Sequence, residues 1–145
     1  MTPVQTQGVM SSSWPFAVLQ NIETLYFQKN KKLMSLPVGY LIYCCPASDF
    51  GPDNLHKTYK CLEKKGMATS YPDPSPSPDC QVKEGDFKVK GYKTGTKCDD
   101  LVNMIQTSPV TASVDASQWQ FYSSGIFNNC KTTVNHIVSV VGYLS

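Results

Sequence analysis

The sequence predicts an α+β fold, with helices in its first half and strands in its second. Phe16, Leu19, Ile22, Tyr26 and Phe27 recur at helical spacing, giving one apolar face from Trp14 to about Gln28. Val110 to Ala116 and His136 to Tyr143 are short, valine-rich runs suited to strands. Between these regions Phe87-Lys88-Val89-Lys90-Gly91-Tyr92 alternates apolar and polar residues, as an amphipathic strand does.

Each element has a local reason. Ser11-Ser12-Ser13 ahead of Trp14-Pro15 starts the first helix: a serine hydroxyl accepts an orphan backbone N–H, and proline fits the first turn. Val38 to Tyr43 and Leu55 to Lys65 are two shorter helical segments, and Gly66 ends the second. Asp73-Pro74-Ser75-Pro76-Ser77-Pro78-Asp79 has no periodicity and reads as an extended surface loop. Cys98 to Gln106 reads as a short helix ahead of Ser108-Pro109, and Gly125 marks a turn between the two valine-rich strands.

Composition narrows the function. A chain of 145 residues with 41% hydrophobic content supports one domain, or two small lobes sharing an interface. A net charge of +2 without clustered basic residues argues against nucleic acid as a partner. Lys29, Lys31 and Lys32 read as a solvated helix end. No apolar run approaches ~18 residues, so no membrane span is expected. No signal peptide is read at the N-terminus, and the compartment stays open. Six cysteines suit an oxidising origin. No Cys-x-x-Cys or Cys/His pair has zinc-like spacing, so neither metal nor cofactor is expected. Cys61 lies in a helical pattern and reads as a buried thiol; His56, beside Lys57 and Lys60, reads as solvent-facing.

The segment Gln7-Gly8-Val9-Met10-Ser11-Ser12-Ser13-Trp14, taken with Asn135-His136, resembles the nucleophile segment and histidine motif of the papain family of cysteine peptidases, with a serine where the nucleophilic cysteine belongs. Further pieces follow in the family's order: Thr2-Pro3-Val4, Ser35-Leu36 ahead of Cys44, Gly66, Tyr71-Pro72, Ser108-Pro109-Val110, Val114-Asp115-Ala116, Gly125-Ile126-Phe127, Cys130 and Val141-Gly142-Tyr143. The resemblance implies a helical left lobe over residues 1–88 and an incomplete, barrel-like right lobe over 89–145, with a cleft between them. It places Ser13 at the nucleophile position, His136 at the catalytic histidine and Gln7 at the oxyanion-binding glutamine. It puts Ser113 and Ile137 in the main specificity pocket, which Ile137 would narrow. It implies a Cys44–Cys80 disulfide and gives Cys45, Cys61 and Cys98 no partner. The cysteine that pairs with Cys130 in the family would lie past Ser145. Met10 and the Phe50 to Asn54 region replace the two ends of another family disulfide. The glycine wall that pairs with substrate is replaced near Gly51-Pro52-Asp53-Asn54, where proline removes a donor. Family ancestry implies a lysosomal or secreted protein.

The chemistry turns on Ser13. A helix N-terminus and a nearby imidazolium lower a cysteine pKa from about 8.5 to as little as ~3–4, as in papain itself. An alcohol is not held ionised by the same surroundings; it attacks only when a well-oriented base takes its proton during the step. In the family an Asn-Ser-Trp-Gly segment supplies the orienting asparagine and follows the Gly-Tyr pair, whereas this sequence stops at Ser145. Losing the orienting residue of a serine triad costs about 10⁴ in kcat. Ser13 therefore reads as a helix cap ahead of a nucleophile. The expectation is a catalytically impaired homologue with a structural or protein-interaction role, its partner pairing with the strand edge at His136 to Tyr143. The alternative is a peptidase that uses Ser13 and His136, weakly active or completed by a partner chain.

Overall fold

The structure, a computed structural model, describes residues 1–7, 12–47 and 52–144, and does not describe the side chains of 52 and 53. The motif residues Gly8, Val9, Met10 and Ser11 lie outside what it describes, as do Phe50, Gly51 and the side chains of Pro52 and Asp53, where the glycine wall was expected to be replaced. The elements run α1 (Trp14–Asn30), α2 (Val38–Cys44), α3 (Pro52–Lys65), α4 (Cys98–Ile105), β1 (Val110–Val114), a 3-10 turn at Trp119–Phe121, and β2 (His136–Val140). The class is α+β, with helices before strands. Among the described residues no helix is long and apolar enough to cross a membrane.

Helix α1 is the central element and packs against α2, β1 and β2. Trp14, Pro15, Ala17, Val18, Leu19 and Ile22 are all buried, so its first half is covered nearly all round rather than on one face. It outruns its expected end near Gln28. Lys31 closes it in a left-handed conformation (φ 57°), with its N–H on Phe27 O at 2.8 Å. Tyr40 and Leu41 of α2 and Leu62 of α3 complete the centre of the core, where the Tyr40 hydroxyl donates to Gly66 O at 2.9 Å. Gly66 ends α3 with φ +86°. A Cβ there would stand 2.7 Å from Phe87 O, so position 66 admits little but glycine.

The segment from Phe87 to Tyr92 is not a strand. Its side chains keep the predicted alternation, with Phe87 and Val89 half-buried and Lys88 and Lys90 exposed. Its ladder pairing is a single bridge, Met67 to Phe87. Alternation dictates extended backbone, but a strand also needs a partner of matching length, and here only one residue past Gly66 is in register. Among the described residues the sheet has two strands, β1 and β2, antiparallel, with Val110 opposite Val140 and Val114 opposite His136. Both are shorter than expected, since β1 stops before Ala116 and β2 before Tyr143. Ile137, 2% exposed, is the sheet residue that enters the core cluster.

Two disulfides tie the helical region together, Cys44–Cys80 and Cys45–Cys61. The second corrects the reading of Cys61 as a buried thiol. Consecutive residues leaving α2 point to different sides, so Cys44 meets the loop after α3 while Cys45 meets α3 itself. The Thr58 hydroxyl, one turn from Cys61, donates to Cys45 O at 3.3 Å and holds the two segments in reach. Cys98 and Cys130 are exposed thiols. His56 is not simply solvent-facing either. Its ring is half-buried 5.6 Å from Tyr92, which stacks on Tyr59 at 5.4 Å.

Cys45 and Cys61 are 16 residues apart in sequence. Replacing both (Cys45→Ala with Cys61→Ala) is expected to cost about 3 kcal/mol, because a loop of that length loses its closure in the unfolded chain. Urea unfolding without reductant, with Cys44–Cys80 intact, measures this.

Candidate active site

Ser13 sits immediately before α1 and is 5% exposed. It does not cap the helix, contrary to the sequence reading. Its backbone is already helical (φ −80°, ψ −29°), whereas a capping residue is extended so that its hydroxyl can turn back to the second or third helical N–H. Pro15 is the second helical residue and offers no N–H. The hydroxyl turns instead to the sheet, where Ser13 Oγ accepts the Ile137 N–H at 3.0 Å. A backbone donor and the positive end of α1 therefore both face this oxygen, an arrangement that favours negative charge on it.

His136 is the first residue of β2, so the same strand that donates to Ser13 positions the imidazole. Burial pushes the imidazole's pKa down, which keeps the ring neutral at neutral pH. Trp119 packs against it edge-on, with ring centroids 5.6 Å apart and planes at 82°. Asn135 holds the strand's entry: its N–H donates to Val114 O at 3.0 Å, and its Oδ1 accepts the Ala116 N–H at 2.9 Å.

Gln7 belongs to an N-terminal segment strapped along α1. Gln20 Nε2 donates to Thr2 Oγ1 at 3.2 Å and to Pro3 O at 3.4 Å. The Thr2 hydroxyl donates to the buried carboxylate of Glu23, whose other oxygen accepts the Leu36 N–H at 2.8 Å. This strap brings Gln7 to the rim of a cavity of about 550 Å³ that Ser13, His136 and Ile137 also line. Four of the five expected site residues thus share one cavity. Ser113 does not line it. It pairs with Ile137 across the sheet but lines a separate cavity of about 490 Å³, with Leu55, Tyr59 and Leu101.

The sequence model of the papain family cysteine proteases matches residues 1–145. The chain belongs to the papain family. Vignain of Vigna mungo is 29% identical over 99% of the chain and 43% of its own length. The viral cathepsin of Antheraea pernyi nuclear polyhedrosis virus is 31% identical over 99% of the chain and 47% of its own length. The chain spans less than half the length of these curated relatives. Among solved structures, the Carica candamarcensis cysteine protease CMS1MS2, in complex with E-64, superposes with a TM-score of 0.75 at 25% identity, covering 99% of this chain and 72% of its own. Bromelain from Ananas comosus, at 23% identity and a TM-score of 0.74, shares the fold.

At this candidate site, sequence reasoning missed three groups. Trp119, six residues before the turn expected at Gly125, carried no motif that singled it out. The buried Glu23, in an apolar helix, gave no sign of bonding both to Thr2 and to the loop at Leu36. Asn135 was visible as part of a motif, but its bonds to β1 and Ala116 depend on tertiary placement.

Ser13→Ala is expected to destabilise the chain by about 1–3 kcal/mol, because it leaves the buried Ile137 N–H without an acceptor. Urea unfolding measures this at neutral pH. His136 has a folded pKa below its ordinary 6.5, so the unfolded chain takes up the proton first on acidification. Its contribution to stability is complete above about pH 6.5 and is lost as pH falls toward the folded value. The expected result is a stability–pH slope below about pH 6.5 that His136→Gln flattens.

Proposed function

We propose that this chain is a catalytically silent papain-family homologue, retained for a structural or protein-binding role, with a helical lobe over 1–88 and a β-rich lobe over 89–145. The observation that carries this reading is the state of Ser13 Oγ, a buried neutral hydroxyl that accepts a main-chain N–H from the opposing strand. In those surroundings a thiol loses its proton readily and an alcohol does not. The oxygen acts as a tether between α1 and β2. The neighbouring imidazole packs edge-on against Trp119.

A second reading keeps Ser13 and His136 as a slow acyl-transfer pair. What favours it is that Gln7, Ser13 and His136 line one cavity. In that case Gln7 and the Ser13 N–H would bind the oxyanion, and Ile137 with Ser113 would bound the specificity pocket.

A fluorogenic peptide assay separates the two. Silence predicts equal background rates for the native chain and Ser13→Ala, and no labelling by a fluorophosphonate. Turnover abolished by Ser13→Ala would establish the second reading. Ser13→Cys tests the electrostatic argument independently: the rate of iodoacetamide alkylation against pH should report a thiol pKa clearly below about 8.5.

A further inference from the structure

The proline-serine loop ahead of Cys80 takes no part in the site around Ser13. Along Asp73-Pro74-Ser75-Pro76-Ser77-Pro78-Asp79 the prolines are exposed, while Ser75 and Ser77 are half-buried. The base of the loop is fixed. Tyr71 stacks on Tyr43, with ring centroids 5.8 Å apart and planes at 12°, and its hydroxyl accepts the Gln81 N–H at 3.2 Å. Gln81 Nε2 donates to Asp79 O at 2.7 Å, and Cys80 is bonded to Cys44. Proline at alternate positions keeps the loop out of helix and ladder, and serine interleaved with proline is the composition of segments that carry sugars on serine.

The two serines differ in how their hydroxyls are used. A hydroxyl has one proton to donate and two lone pairs with which to accept. Ser75 Oγ uses its proton, donating to Ser77 O at 2.7 Å. Ser77 Oγ accepts: the Asp79 N–H reaches it at 3.1 Å, and its own proton has no acceptor among the described residues. Replacing the hydroxyl proton by a carbon atom therefore breaks a hydrogen bond at Ser75 and none at Ser77, where the oxygen keeps its lone pairs.

Charge narrows the kind of group that fits. Asp73 and Asp79 flank the serines, and no Lys or Arg lies between Lys65 and Lys83. Lys65 itself turns to Cys80 Sγ, at 3.4 Å. A phosphate on Ser77 would carry close to two negative charges beside Asp79, with no cation in the loop to meet them. A neutral group meets no such repulsion. The disulfide at the loop's end is of the kind formed in oxidising compartments, the secretory ones among them, where sugars are also attached to protein chains.

We propose that Ser77 is a glycosylation site, taking a neutral sugar from a nucleotide-sugar donor with the help of a transferase. Ser77 Oγ forms a bond to the anomeric carbon, and the bond from that carbon to the diphosphate oxygen breaks. The nucleoside diphosphate leaves with the electron pair, and the hydroxyl proton passes through the transferase to solvent. The bond from the Asp79 N–H survives the change, so the loop keeps its shape with the sugar in place.

The test uses the full chain with both disulfides intact, uridine diphosphate N-acetylgalactosamine and a polypeptide N-acetylgalactosaminyltransferase. Fragment mass spectrometry of the loop peptide locates the sugar. Ser77 is expected to be modified, with Ser77→Ala removing the label and Ser75→Ala keeping it. The ratio of initial rates at Ser77 and Ser75 should be about fivefold higher in the folded chain than in the reduced, alkylated chain, the factor that one hydrogen bond is worth. That ratio needs no variant, so it stands if either substitution disturbs the loop. No sugar on the folded loop, modification at Ser75 ahead of Ser77, or the same ratio in both forms overturns the proposal. So does phosphorylation of Ser77 by a proline-directed kinase in a folded chain that takes up no sugar, since it assigns the hydroxyl to a charged group.

Discussion

One hydrogen bond, from the Ile137 N–H to Ser13 Oγ, organises the relation between the helical and β parts of this chain. It links the first residue before α1 to the second residue of β2, across a sequence separation of 124. Through β2 it sets where His136 stands, and through the ladder it sets which backbone groups of the strand are turned outward. A bond of this kind has a modest net value, about 1 kcal/mol, but a buried amide left without its acceptor costs more than the bond returns. The constraint is therefore one-sided: holding the strand in this register against α1 costs about 1–3 kcal/mol more once position 13 offers no acceptor.

The same geometry separates what the fold retains from what the chemistry requires. A helix start and a main-chain donor still converge on the side chain of position 13. These features stabilise an anion, and the papain-family site is organised around one. A hydroxyl, unlike a thiol, is not ionised at neutral pH by such surroundings. The neutral imidazole reinforces this, because a depressed pKa removes the cation that would complete an ion pair. Electrostatic preparation and nucleophile identity are independent properties of a site: α1 and β2 set the first, and the side chain at position 13 sets the second.

Much of this was legible in the sequence. The helical spacing of Phe16, Leu19 and Ile22 located α1, and the valine-rich runs located β1 and β2, because both signals reflect local periodicity. The motif order placed Gln7, Ser13, His136 and Ile137 around one cavity. What failed was tertiary in origin. Alternation at 87–92 described side-chain burial correctly but could not reveal the lack of a pairing partner. Ser13 has the composition of a cap, yet Pro15 removes one of its local donors and β2 supplies a distant one. The Cys45–Cys61 link was hidden because it joins the end of one helix to the middle of another, a proximity that spacing does not encode. Ser113 was grouped with Ile137 by likeness, and the sheet does make them neighbours, but they border different cavities.

The adjacent cysteines at the end of α2 have a consequence for the denatured chain. Cys44 reaches Cys80 and Cys45 reaches Cys61, so one dipeptide anchors two nested loops. In denaturant without reductant, residues 44–80 stay cross-linked while the flanking segments become fully extensible. The ensemble so produced is compact in its middle and exposes less new surface than an open chain of equal length. Denaturant sensitivity, which scales with newly solvated area, is correspondingly low until the bridges are reduced.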